Sequence, residues 1–361
     1  MESRYKLVVV ASILLLLTLG ITIPLLLFTD PSTIKLTELG QIGTGGETWA
    51  VVVKENIAFT LDTTDNNPRG LVLIDVSDPT APVELSSYHD GGLPMALDVA
   101  GNIVYIADMF DGLEIINVSD VSDPIEIGQY ASSGEVYDLQ VVDDVAYLAD
   151  WNNGLVILNV SDPTSPLFIS DYSIPGACTH VQVADNLAFI IDHRNDYNGL
   201  IVLNISDSLH PVLSGQYMPD DGLWNPYIYG DYVYVANDEL DGGELQILNV
   251  TDVTNIAKIG TFDANGLFRD VCVVGDIAFV ADYTKGLILV DVRDPTEPIE
   301  IANLFDGGHA CCVTVIDDII YVADHSDGLE IIQVSGIDLD YKLTTLKSGN
   351  IEAFDLRRHH Y

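Results

Sequence analysis

The side chains best suited to chemistry fall in two groups. His309, Cys311, Cys312 and His325 lie in one stretch of the chain, and Cys178, His180 and His193 in another. Thiolate and imidazole are ligands for zinc or copper. Adjacent residues on a strand point to opposite faces, so at most one of Cys311 and Cys312 serves a given site. The candidate metal set is His309, Cys312 and His325. Its spacing matches no established zinc motif, and nothing carries the spaced carboxylates of a calcium-binding helix–loop–helix. The chain also has no G-x-S-x-G, no H-E-x-x-H, no Gly-rich phosphate cradle and no dinucleotide fingerprint. With 55 acidic residues present, carboxylate pairs carry no weight for acid–base catalysis. No catalytic residue is assigned: binding is expected rather than catalysis, and Ca2+ or Zn2+ are the cations to look for. The rival expectation is a metal-binding or enzymatic protein using these His and Cys loops.

These residues recur in register with a repeat. Apolar runs such as GLVILNVSDP from Gly154 and GLILVDVRDP from Gly286 close at Asp75, Asn117, Asn159, Asn204, Asn249, Asp291 and Gln333, spaced by 42 or 45 residues. A fixed period of this length indicates a propeller or a solenoid. In the second unit, Ala96–Val99, Ile103–Ala107, Leu113–Val118 and Ile125–Tyr130 read as short strands, with Gly, Asn, Asp and Pro at each reversal. Four antiparallel strands per repeat form a propeller blade. The fold expected over 33–346 is therefore all-β, a seven-bladed β-propeller of four-stranded antiparallel blades. Two columns mark its turns. Asn56, Asn102, Asp144, Asn186, Asp231, Asp276 and Asp318 are expected to take the left-handed conformation of the first turn. Asp62, Asp108, Asp150, Asp192, Asn237, Asp282 and Asp324 end the second strand and are expected to accept backbone hydrogen bonds from the following loop.

In such a fold the loops between blades meet the loops between second and third strands at the mouth of the central channel. Entering the first strands are Trp49, Met95, Tyr137, Thr179, Trp224, Arg269 and Cys311; just after the Asp column come Trp151, His193, Tyr283 and His325, with His180 and His309 nearby. Such residue types are not demanded by the repeat, which makes this face the candidate binding surface. Ordinary packing of a channel mouth is the alternative.

The ends of the chain differ from the repeats. Leu7–Phe28 is 22 residues without a charge. As a helix of about 33 Å it would cross a hydrocarbon core of about 30 Å. Residues 7–28 are thus expected to be an uncleaved transmembrane signal-anchor helix, with 1–6 cytoplasmic, 29–32 a linker and 347–361 a C-terminal tail. Arg4 and Lys6 precede the span, which places the propeller on the extracellular side of a single-pass protein of the cell membrane. A formal charge of −41 excludes nucleic acid as a partner and favours cations and basic surfaces. Four cysteines are too few for a disulfide framework. Thr33–Ile42 resembles the fourth strand of a unit and is expected to close blade seven, although Tyr341–Leu346 also fits that register. Asn117, Asn159, Asn204 and Asn249 head N-x-S/T sequons, so they are glycosylation candidates as well as turn residues.

The units resemble the LVIVD repeat of bacterial and archaeal surface proteins. The matching stretches are Gly154–Pro163 with Pro166, Gly70–Pro79 with Pro82, and Val104–Asp108. That resemblance implies a propeller on a cell surface and supplies no catalytic residue. The expected role is a recognition, adhesion or interaction scaffold meeting a protein or glycan at the outer surface; a structural envelope component is the remaining alternative.

Overall fold

The computed structural model describes residues 33–337 and 339, apart from 64–69, 90, 195–196, 220–222 and 238–242. Within them 28 strands form seven four-stranded sheets. Six sheets take four consecutive strands each, from Glu47–Lys54 in blade one to Ile299–Leu304 in blade six. Blade seven is different. Its inner three strands are Cys312–Ile316, Ile319–Asp324 and Gly328–Ser335, and its outer strand is Lys35–Ile42 from the other end of the repeats. This strand pairs antiparallel with Gly328–Ser335, from Lys35 opposite Ser335 to Ile42 opposite Leu329. The expected closure by Thr33–Ile42 is therefore present, and it removes an open sheet edge. Tyr341–Leu346, the tail 347–361 and the expected membrane helix lie outside the described residues. Among those described, no helix is long and apolar enough to cross a membrane.

The core lies in the seams between blades. Each sheet packs against a neighbour on both faces, so its second and third strands are buried almost without interruption, as in Val145–Asp150 and Gly154–Asn159. That is why these segments read as continuous apolar runs, whereas outer strands such as Val83–Tyr88 are largely exposed or half-buried. Phe59, Leu61, Leu71 and Leu73 of blade one meet Leu97, Val99, Val104 and Ile106 of blade two. Full burial of such side chains contributes about 1.5–3 kcal/mol each. The closing seam is built the same way: Val51, Val72 and Ile74 pack on Tyr321, Leu329 and Ile331, with Ile42 laid against them.

The turns correct one expectation. Positive φ falls on the residue before the predicted column: Glu55, Gly101, Asp143, Asp185, Gly230, Gly275 and Asp317, at 52° to 62°. The predicted residues instead offer their carbonyls. Asn56 O accepts from the Val76 N–H at 2.8 Å and Asn102 O from Val118 at 2.9 Å, and the other five blades repeat the bond. The column closing the third strand works by its side chains. Asn159 Oδ1 accepts from the Ser161 N–H at 2.9 Å and from its hydroxyl at 2.6 Å, and Asp75 and Asp291 accept the same backbone bond. The four sequon asparagines thus have a turn role of their own.

Candidate functional site

The inner strands of the seven blades surround a central cavity of about 620 Å³. Its wall includes Trp49, Met95, Tyr137, Trp151, His180, His193, Trp224 and Arg269, so most of the predicted face does converge. The buried Asp column builds the rim beneath these side chains. Asp150 Oδ1 accepts from the N–H groups of Asn152 (3.0 Å) and Asn153 (2.9 Å), and Oδ2 from Asn153 Nδ2 and the Ser132 hydroxyl. Asp282 Oδ1 accepts from the N–H groups of Leu267 (3.0 Å) and Thr284 (2.8 Å). One carboxylate therefore ties the loop after the second strand to the loop before the inner strand. The approach is close enough to demand glycine: a Cβ on Gly134 would stand 1.9 Å from Asp150 Oδ1, and one on Gly266 1.6 Å from Asp282 Oδ2. The next backbone N–H completes the tie, from Trp151 to Glu135 O at 2.7 Å and from Tyr283 to Leu267 O at 2.8 Å.

Held this way, the rings gather into two arcs. In blades three to five, ring centroids are 5.1 Å apart for Tyr137 and Trp151, 5.8 Å for Trp151 and His193, and 5.9 Å for His193 and Trp224; His180 adds a further contact of 5.9 Å to Trp224. In blades six, seven and one, Tyr283 stands 4.4 Å from His309, His309 5.8 Å from His325, and His325 4.8 Å from Trp49. The Arg269 guanidinium lies 5.2 Å over the Tyr283 ring. His325 Nε2 is 3.4 Å from Glu47 Oε2, and its backbone sits at φ 33°. All nine rings are half-buried, while Met95 of blade two is exposed and interrupts the circle. All three tryptophans of the chain are in it.

Below the rings is a polar wall that sequence reasoning missed. The inner strand is a sheet edge, and its N–H groups need acceptors from outside the sheet. The preceding blade supplies them. Asp98 Oδ2 accepts from Val141 N–H at 2.7 Å, Asp138 Oδ2 from Val181 at 2.9 Å, Gln140 Oε1 from Val183 at 2.6 Å, Gln182 Oε1 from Ile228 at 2.6 Å and Asp270 Oδ2 from Val313 at 2.9 Å. The signal was polar residues two apart on the inner strand, as in Asp138 and Gln140. His180 belongs to the same wall, and burial pushes its pKa down to about 4, so it is neutral at physiological pH.

The expected His309–Cys312–His325 metal set is not assembled. It is not among the groups of metal-capable side chains whose ligand atoms lie within 4.8 Å of one another. Cys312 Sγ turns toward Val51 O in the seam with blade one, whereas Cys311 Sγ donates to His309 O at 3.3 Å. Cys178 is fully buried between blades three and four, far from solvent, and burial lifts its thiol pKa well above the ordinary value; that of Cys311 rises to about 12. Neither is poised as a thiolate.

The groups that do converge are carboxylates: Asp108 with Asp111 and Glu114, and Asp306 with Asp324 and Glu330. All-oxygen donors suit a hard cation such as Ca2+ rather than zinc. Glu114 and Glu330 occupy a column where other blades bury Val72, Val156, Ile201 and Ile288. Burial, then a hydrogen bond to Asp306, pushes the Glu330 pKa up to about 10, and the same bond lowers that of Asp306. Glu330 is thus protonated at neutral pH and donates to the Asp306 carboxylate. Burial likewise raises Asp324 to about 6. A folded pKa above the unfolded one stabilises most at low pH, and that contribution is lost as pH rises from about 4.5 toward about 10. Glu330→Gln, which keeps a donor toward Asp306 but cannot ionise, should leave the melting temperature near that of the parent at about pH 5 and raise it increasingly as pH climbs from there toward about 10. Thermal melts across that range check this; parallel curves for the two chains would refute it.

Comparison with known folds and families agrees with the geometry. The chain is similar to the WD40 repeats of RRP9 (TM-score 0.63, 8% identity, covering 84% of this chain and 98% of that one). It is similar also to U3-55K (0.64, 9%, 84% and 98%) and to the computationally designed Ika8 protein (0.58, 10%, 82% and 99%). At such identities the likeness shows the fold alone. No curated protein matches the chain. The LVIVD repeat matches it seven times, at residues 45–90, 91–132, 133–173, 175–219, 224–263, 265–305 and 307–336, one match per blade, and the chain belongs to the LVIVD-repeat family.

Proposed function

We propose that this propeller is a recognition module, tethered to the outer face of a cell membrane, that takes its partner at the channel mouth and performs no catalysis. The observation that carries the reading is the concentration of aromatic side chains at one end of the channel, including every tryptophan of the chain. Buried aromatic anchors with a polar surround are the usual source of binding energy at an interface. The run of the closing strand supports the orientation. Lys35 pairs with Ser335 at the face opposite the mouth, and the apolar stretch Leu7–Phe28 ends a few residues earlier. A helix there would hold the far face toward the bilayer and leave the mouth pointing outward. The sequons at Asn117, Asn159, Asn204 and Asn249 would then lie on the membrane-proximal side.

Two measurements test this. Sealed membrane vesicles carrying the full chain should expose a cysteine placed at Asn153 to an impermeant maleimide only from the extracellular side. On arrays of peptides and glycans, the full chain should bind a subset, and Trp151→Ala with Trp224→Ala should abolish those hits without changing the circular dichroism spectrum. Hits that survive both substitutions would sink the mouth as the binding site.

A further inference from the structure

We propose that the mouth selects a cation, a guanidinium or alkylammonium group carried on a basic peptide segment. The inference rests on the reading above that the channel mouth is the ligand site. Three features converge on it. Half-buried Trp49, Tyr137, Trp151 and Trp224 line the entrance, and the faces of such rings attract cations. Beneath them the wall holds Asp98, Asp138 and Asp270, with Glu47 at the rim, against Arg269 as the one lysine or arginine among the described lining residues. Backbone N–H groups of the following blade hold these aspartates in position. Carboxylates in a confined, low-dielectric space focus the field of the whole chain, whose formal charge is −41.

His180, kept neutral by burial, adds no positive charge to that wall. The Arg269 guanidinium over Tyr283 is an intramolecular instance of the same contact. An acidic ligand is opposed by the field, and a neutral sugar would use the rings but gain nothing from the carboxylates. A peptide is favoured over a free amine because the cavity, about 620 Å³, is far larger than one cationic head and is lined by rings of four blades.

Because all three tryptophans stand at the mouth, intrinsic fluorescence of the full chain in a non-ionic detergent reports on it directly. The probes are tetra-arginine, tetramethylammonium, maltotetraose and tetraglutamate. Tetra-arginine should change the emission saturably and tightest of the four, with affinity falling as salt is added. Trp151→Leu and Tyr137→Leu should each weaken it about tenfold. Trp151→Phe, which keeps a ring face, should recover most of that loss, and Asp78→Asn on the opposite face should change nothing. Tetramethylammonium binding as tightly as the peptide would overturn the peptide assignment. A response to maltotetraose or tetraglutamate without one to the cations overturns the inference and leaves the mouth as the site. Cation binding that ignores Trp151→Leu and Tyr137→Leu overturns the mouth itself. Silence with all four probes overturns the inference.

Discussion

A chain starting at residue 44 should melt about 10 °C below one starting at residue 33, and a synthetic peptide of residues 33–43 should restore the difference in trans. The missing strand supplies seven paired positions to Gly328–Ser335. Its loss would expose that strand as an unpaired edge. It also contributes side chains to two seams: Ile34 and Leu36 pack on the core shared by blades six and seven, and Ile42 on the one shared by blades seven and one. Three half-buried aliphatic side chains are worth about 3 kcal/mol together. In a protein of this size each kcal/mol moves the melting temperature by about 2–4 °C. The effect is large because the same strand links the two ends of the ring, so its removal leaves the seam of blades seven and one to side-chain packing, the bond from Thr48 N–H to His325 O, the Cys312 Sγ contact with Val51 O and the His325–Glu47 pair. Equal melting temperatures for the two chains would show that the ring closes without it.

That closure was half legible: Thr33–Ile42 carries the pattern of an outer strand with no inner strands before it, but Tyr341–Leu346 fits the same register, and the sequence does not choose between them. The mouth was legible for the opposite reason: its column runs through Trp49, Met95, Tyr137, Thr179, Trp224, Arg269 and Cys311, and a position that packing dictated would not vary so widely. Features that depend on side-chain direction were harder to read. Cys312 is close to His309 in the chain, but it enters the inner strand facing the seam, so proximity in sequence did not become a ligand set. The left-handed residue could have been either member of a two-residue turn; glycines at 101, 230 and 275 pointed to the first. The carboxylate trio of blade seven draws on an outer loop, the second strand and the third, and its one trace in the sequence is a glutamate where most blades place Val or Ile.

The spacing of the blades should prove most sensitive at one column of the outer strands. Gly40, Ser86, Gly128, Ser170, Gly215, Gly260 and Ala302 follow the strand's bulge in their respective blades. Where the residue is serine, its hydroxyl reaches the next blade, Ser86 to Val121 O at 2.6 Å and Ser170 to Ser208 O at 2.5 Å. Where it is glycine, the neighbouring turn moves into the vacated space. A Cβ on Gly215 would stand 1.7 Å from Val253 O, and one on Gly260 1.9 Å from Pro295 O. These obstacles are backbone atoms, and the Val253–Asn255 turn is itself held by Asp252 through the Thr254 N–H and hydroxyl. A side chain at 215 must therefore push blade five away from blade four. Overpacking of this kind costs about 1–3 kcal/mol, and Gly215→Val should reach or exceed the upper end. Ser170→Ala should lose only its hydrogen bond, about 1 kcal/mol. The decisive variant is Gly215→Ser. It installs the residue that blades one and three already use, yet it should destabilise by about 2 kcal/mol in urea unfolding, because the seam there has closed around a missing side chain. An unchanged or raised midpoint would mean that the turn retreats freely, and that the seams adjust to whichever residue they receive.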